Sequence, residues 1–284
     1  MFWRRTLSVV VLVPLVLLII YLGHWFYLLL VSAAALMMQV EYCRLSQHLS
    51  EKINPITPSI LTVGFCLCGF FLDTQFLDTL IEPAKISLFM FSYILIVFIY
   101  AFTSSIYRGE VAGELLTVTL KLTGILTIGW VFGYHCILLR KIDNIGMHLI
   151  FLLIGTVWCS DTGAYLIGRA VGKHKLISQI SPRKTVEGTI AGIVVGTIIS
   201  IVFSLIFLNQ TLSLLNAAII GLLLSVLGPL GDLSVSLMKR TIGVKDSGDV
   251  IPGHGGFLDR CDSLIFSTPV LYYYIEFAGF FNFI

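Results

Sequence analysis

The chain has 284 residues, of which 57% are hydrophobic and only 12% charged, with a formal net charge of +2. Soluble domains carry about a quarter charged residues, so this composition excludes a soluble globular protein. The small net charge says little by itself, and no nucleic acid is among the expected partners.

A membrane-spanning helix needs roughly 20 predominantly apolar residues. In chain order the candidate spans are Leu7–Leu22, Trp25–Met38, Ile60–Leu72, Ser87–Phe102, Leu115–Leu138, Met147–Ile167, Thr189–Leu208, Leu212–Asp232 and Leu264–Phe283. Ile60–Leu72 is short enough to be re-entrant or extended at its ends. Leu7–Leu22 follows Arg4 and Arg5 in the manner of a signal peptide. No small-residue cleavage site comes before the next apolar run, so it reads as a retained first helix. The expected fold is an all-α polytopic membrane protein of about nine transmembrane helices. Residues 1–145 form the N-terminal helices, and residues 146–284 form a catalytic region that carries the motifs.

Lys and Arg placement sets the orientation. With a cytosolic N-terminus, 14 of the 18 basic residues fall on cytosolic segments, Lys85, Arg140 and Lys141 fall outside, and Lys121 lies within a span. Every polar motif then faces the cytosol, where nucleotides are available. The six cysteines contain no CxxC pair and sit mostly in apolar surroundings, which reads as inert packing.

Polar residues concentrate between Gly228 and Ser263, where Asp232, Asp246, Asp249, Asp259 and Asp262 mix with Lys239, Arg240, Lys245, His254 and Arg260. Gly221 to Arg240 reads as one helix, or as two halves hinged at Gly228-Pro229. Gly221, Ser225, Gly228, Asp232, Ser236 and Lys239 share one face at 3.6 residues per turn, while Leu233, Val235, Leu237 and Met238 point elsewhere. A seam of small residues between helices explains Gly221 and Ser225. It does not explain Asp232, whose burial at a membrane edge costs at least ~2.5 kcal/mol unless it is paired or liganded. Asp259 and Asp262 lie three apart and open the final span. Carboxylates from the two ends of the intervening loop would suit a hard cation such as Mg²⁺. Within the loop, Gly253, Gly255 and Gly256 flank His254 and permit close backbone approach to an anion. His254 is either a phosphate donor or a turn residue.

Two further polar islands precede this segment. Ser181-Pro182 fits an N-cap and first helical position, so a helix is expected to start there. Arg183, Lys184 and Thr185 then form either a phosphate site or a positive-inside anchor, with Glu187 complementing the helix dipole. Asp161 sits near the cytosolic end of another span, a position that marks it as a functional candidate. Arg169, two turns on, is a structural partner for it. The Gly168–Lys175 stretch suits anionic headgroups. Glu114 and Lys121 remain unassigned.

Three blocks carry a resemblance to a known family. The pattern Ser236-x-Met238-Lys239-Arg240-x₄-Lys245-Asp246-x-Gly248-x₂-Ile251-Pro252-x-His254-Gly255-Gly256-Phe257-x-Asp259-Arg260-x-Asp262 resembles the signature of the phosphatidate cytidylyltransferases, or CDP-diacylglycerol synthases, of bacterial type. Ser181–Gly188 is similar to that family's Ser-Pro-Lys-Lys-Thr-x-Glu-Gly block. Asp161-Thr162-Gly163-Ala164-Tyr165 with Gly168-Arg169 and Gly172–Leu176 resembles a third. Cys261, Asp249 and Arg183 depart from the pattern without removing a charge that the chemistry needs.

The resemblance implies transfer of the cytidylyl group of CTP to phosphatidate, giving CDP-diacylglycerol and pyrophosphate in phospholipid biosynthesis. It implies a divalent metal, Mg²⁺, at Asp232, Asp259 and Asp262. Asp232, Asp259, Lys239, Arg240 and Ser236 are the expected catalytic set. Lys184, Thr185, Arg183, Lys245, His254, Gly255, Gly256, Arg260 and Asp161 are the expected substrate-binding set. The implied location is the bacterial cytoplasmic (inner) membrane with the active site facing the cytosol. CTP, phosphatidate and membrane lipid are the expected partners, and a homodimer is left open. A transporter is the main alternative from another class, since acids and broken helices also mark ion pathways. A CTP-dependent lipid kinase of polyprenol or phytol type is a nearer one. The spacing of the CDP-alcohol phosphotransferases is absent.

Overall fold

The computed structural model describes residues 13–72, 83–109, 111–142, 144–248 and 255–280. His254 and Asp249 lie outside the described residues, as does Asn282. Helices dominate: α1 (Val13–Leu22), α2 (His24–Gln47), α3 (Ile56–Phe71), α4 (Pro83–Ile106), α5 (Glu114–Gly124), α6 (His135–Lys141), α7 (Gly146–Val171), α8 (Val186–Phe207), α9 (Leu214–Thr241) and α10 (Leu258–Phe280). A π-helical stretch, Ile125–Tyr134, joins α5 to α6 without a break.

Among the described residues, six helices are long and apolar enough to cross a membrane, counting α5 through α6 as one. The helices α1 and α3 are apolar but shorter. At 1.5 Å per residue, the 16 residues of α3 reach only about 24 Å, less than a hydrocarbon core of about 30 Å. Asp259, Arg260, Asp262, Glu276 and three consecutive tyrosines dilute α10, which is not one of the six.

The described residues form two compact units. The first takes those within Met1–Leu138 and Asp246–Leu258, and its core gathers Phe65, Met90, Val97 and Ile125. The second takes those within Leu139–Lys245 and Asp259–Ile284, with α8 packed between α7 and α9.

The packing of α8 shows which solvent the second unit is built for. Gly188, Gly192, Gly196, Ser200 and Ser204 recur every fourth residue and are buried. Ile190, Val194 and Ile198 recur at the same interval on the other side and are exposed. Small residues inside and large apolar residues outside invert the rule for water-soluble helices and match helices that meet lipid. A Cβ on Gly192 would lie 2.9 Å from both Ser160 O and Ala164 Cβ, so the backbones of α7 and α8 approach closely there.

Two local expectations need correction, and one open choice is decided. The helix does not begin at Ser181-Pro182. Ser181–Thr185 is instead a strand, paired antiparallel with Lys175–Ile177, so the unit carries a small β-hairpin that an all-α reading omits. Helix α8 starts after Thr185, whose Oγ1 accepts a hydrogen bond from Gly188 N at 3.2 Å and so outcompetes Ser181 as the cap. Glu187 accepts from the backbone of Lys173 and His174 and from His174 Nδ1 at 2.6 Å, tying the hairpin to the helix start. Of the two readings of Gly221–Arg240 the single helix holds, since α9 runs unbroken through Gly228-Pro229. Finally, Leu233 and Val235 are buried together with the Asp232 face, because α9 is packed on more than one side; Leu237 is exposed as expected.

Candidate active site

The second unit brings the three polar blocks together through charge. Lys184, at the end of the hairpin, places Nζ 2.7 Å from Asp232 Oδ2 on α9 and donates to the carbonyl of Pro229 at 3.4 Å. Ser236, one turn after Asp232, donates to Asp232 Oδ1 at 3.1 Å. Lys239, one turn further, places Nζ 2.5 Å from Asp259 Oδ1 in the first turn of α10. This second pair is well shielded, with side-chain exposures of 8% and 13%.

Asp262 is buried beside them, with Oδ1 accepting a hydrogen bond from its own neighbour Ser263 N at 2.7 Å. The charges of Asp232, Lys239 and Asp259 all act on it. A Cβ on Gly231 would collide with the Asp262 carbonyl, so glycine lets α9 approach α10 at this level. Farther along, Tyr274 Oη donates to Asn216 Oδ1 at 2.8 Å and ties the same two helices again. On α7, Asp161 is half-buried within electrostatic reach of Lys184 and Asp232. Arg169 is not its partner, and donates instead to the Tyr165 hydroxyl at 3.4 Å.

Seven of the expected residues therefore form one constellation: Asp161, Lys184, Asp232, Ser236, Lys239, Asp259 and Asp262. Four carboxylates stand against two ammonium groups. Within this set the carboxylates exceed the ammonium groups by two charges when all are ionised.

The other expected residues have different places. Thr185 is buried and caps α8. Arg240 is exposed; its Nε donates to Ile180 O in the hairpin turn at 3.2 Å and its Nη1 to Val244 O at 3.1 Å. Arg183, Lys245 and Arg260 are exposed. Gly255 and Gly256 belong to the first unit, where Gly255 adopts φ +79°.

The whole-chain pattern matches a family model described as "Cytidylyltransferase family" over residues 3–278. The chain belongs to this family. Among its relatives are the phosphatidate cytidylyltransferases of Bacillus subtilis, 41% identical over 146 residues, and of Staphylococcus saprophyticus, 45% identical over 147. These alignments span 51% and 52% of this chain, and about half the length of each relative (54% and 56%). The phosphatidate cytidylyltransferase of Synechocystis aligns over 91% of this chain and 86% of its own length at 31% identity.

The constellation can be tested against a divalent cation. Among the described residues no three His, Cys, Asp or Glu side chains form a ready-made cluster for a metal ion. Lysine ammonium groups instead sit on Asp232 and Asp259. The donor set is nonetheless all oxygen, and its surplus of negative charge suits a hard dication in the way that Mg²⁺ sites use one or two carboxylates plus substrate phosphates. The residues fit the ion by chemistry and charge.

Sequence reasoning passes over one buried acid. Glu41 on α2 is 1% exposed and holds the loop that leads into α10. The candidate span Trp25–Met38 stops short of it, so the apolar pattern draws no attention to Glu41. Extending that span by one turn would have flagged it as an intramembrane carboxylate.

Polar groups of the first unit also acquire places. Glu114 pairs with Lys52 through Oε1 at 2.8 Å, and Lys121 donates to Ser104 Oγ at 2.8 Å. All six cysteines are free thiols.

Proposed function

We propose that this chain transfers the cytidylyl group of CTP to phosphatidate and releases pyrophosphate, producing CDP-diacylglycerol for phospholipid synthesis. The observation that carries this reading is the pair of bridges, Lys184–Asp232 and Lys239–Asp259, which join the Ser181–Gly188 block to the Gly228–Ser263 segment in one charged constellation. The names of the Bacillus, Staphylococcus and Synechocystis relatives support it.

A phosphomonoester has its second pKa near ~6 and is mostly dianionic at neutral pH. Phosphatidate is therefore already a nucleophile, and no dedicated general base is required. Its phosphate oxygen attacks the α-phosphorus of CTP, and the bond to the β-phosphate oxygen breaks. The protein must hold two mutually repelling anions in line. Lys184 and Lys239 supply positive charge at fixed positions, with Arg183, Arg240, Lys245 and Arg260 around them. Ser236 orients Asp232 through its hydroxyl. Asp161 and Asp262 enlarge the carboxylate surplus. Asp232, Asp259 and Asp262 would hold Mg²⁺, which when bound neutralises phosphate charge and stabilises the leaving group.

The same reading assigns nine spans, with the N-terminus in the cytosol of a bacterial inner membrane and the constellation at the cytosolic membrane edge. The basic-residue bias supports this orientation. The deciding assay uses purified protein in detergent with phosphatidate, CTP and Mg²⁺. Stoichiometric pyrophosphate and CDP-diacylglycerol are expected. Release of CDP with an alcohol acceptor would make the chain a lipid kinase, and ion flux without CTP consumption would make it a transporter.

A further inference from the structure

Glu41 comes from a part of the chain remote from every motif above, yet its carboxylate organises the longest of them. Oε1 accepts a hydrogen bond from Phe257 N at 2.8 Å. Oε2 accepts from Leu258 N at 2.8 Å and from Ser247 Oγ at 2.8 Å. One buried side chain therefore clasps both ends of the segment from Ser247 to Leu258.

The glycines of this segment are shaped to the clasp. A Cβ on Gly248 would lie 3.1 Å from Glu41 Oε1, and one on Gly256 would lie 2.8 Å from Gly248 N and crowd Glu41 Oε2. Leu258 opens α10, where the first amides have no partner inside the helix and a negative charge is favourable. Among the described residues no cation is bridged to Glu41; N–H and O–H dipoles match its charge. A local Ser or Asp at the cap would satisfy a helix start alone. A carboxylate reaching in from α2 also fixes where the loop's other end lies.

We propose that Glu41 is a positioning residue for cytidylyl transfer: it clasps Ser247 and the Phe257 and Leu258 amides, and so holds the first turn of α10, in which Asp259 is the next residue, in one arrangement. The proposal rests on the reading of Asp259 as a site carboxylate. In-line phosphoryl chemistry is sensitive to such placement, and a misplacement of about 1 Å can cost about a hundredfold in rate. Glutamine at position 41 would turn an N–H₂ group toward a donor and lose at least one bond of the clasp.

The test compares the full chain with Glu41→Gln, Ser247→Ala and Asp259→Asn, purified in detergent. It measures kcat and KM for CTP and phosphatidate, thermal unfolding, and amide hydrogen exchange of the peptide bearing Phe257 and Leu258 without substrate. For Glu41→Gln the expected result is exchange about tenfold faster there, as loss of a hydrogen bond of ordinary strength gives. Its kcat should fall by up to about a hundredfold with little change in either KM. Ser247→Ala removes one bond of three, keeps the charge, and should lower kcat several-fold at an unchanged Tm. Normal exchange or normal kcat in Glu41→Gln, beside an inactive Asp259→Asn, overturns the proposal alone. If Glu41→Gln does not fold, Ser247→Ala decides, and a wild-type kcat in it overturns the proposal. An active Asp259→Asn overturns the site reading and the proposal with it.

Discussion

Lys239 Nζ meets Asp259 Oδ1 at 2.5 Å, so an ammonium in the last turn of α9 is matched to a carboxylate in the first turn of α10. Both side chains are largely shielded, and removing one partner of such a pair typically costs about 3–5 kcal/mol. Lys239→Met should therefore lower the unfolding temperature and abolish turnover. The double variant Lys239→Met/Asp259→Asn removes both charges and should recover most of the lost stability without recovering activity. Thermal unfolding in detergent with a pyrophosphate assay separates the two effects. Recovery of turnover in the double variant would make the pair purely structural.

The four acids of the constellation should behave unlike the acid exposed on the loop. Asp232→Asn keeps size and hydrogen bonding but removes the charge that Lys184 and any bound cation share, so near-complete loss of turnover is expected. Extra Mg²⁺ should rescue little, because a displaced ion loses its placement. Asp246 is exposed, and Asp246→Asn should stay within about twofold of wild type, as surface substitutions do. Turnover at matched expression is the measurement, and a normal rate in Asp232→Asn would sink the proposed mechanism.

Topology follows from the asymmetry of basic residues. Asn209 is exposed in the turn between α8 and α9, on the side opposite the constellation in the nine-span scheme. In a cysteine-free background, Asn209→Cys should react with an impermeant maleimide added outside the cell. Reaction only after permeabilisation would reverse the orientation.

Much of this arrangement was legible in the sequence because lipid-facing helices announce themselves by apolar runs, and charged side chains within such runs are too costly to be incidental. Asp161 and Asp232 stood out on that ground, Asp259 and Asp262 by their spacing at the start of the last span, and the structure places them together with Lys184 and Lys239. The hairpin was hidden because its strands, Lys175–Ile177 and Ser181–Thr185, are short and largely exposed, too short for a hydrophobic alternation to show in the sequence. Ser181-Pro182 imitated a helix start, whereas the choice of Thr185 as cap depends on tertiary packing: a Cβ on Gly172 would lie 2.6 Å from Thr185 Oγ1. Glu41 could not be assigned from spacing at all, since its partners lie more than 200 positions away.

The seam between α7 and α8 yields a paired prediction. Gly155 on α7 has nothing within 4 Å of where a Cβ would stand, so Gly155→Ala should gain the helix propensity of alanine, about 0.5–1 kcal/mol. Gly192→Ala gains the same propensity but drives a methyl to 2.9 Å from Ser160 O and Ala164 Cβ. Overpacking of this kind costs about 1–3 kcal/mol and should outweigh the gain. The strain should also reach the site, because Ser160 adjoins Asp161 and α8 begins two residues after Lys184. Gly155→Ala is expected to raise the unfolding temperature slightly at unchanged turnover, and Gly192→Ala to lower both. Equal stability of the two variants would mean that α7 and α8 separate easily, and that the small-residue seam does not hold Lys184 and Asp161 in register.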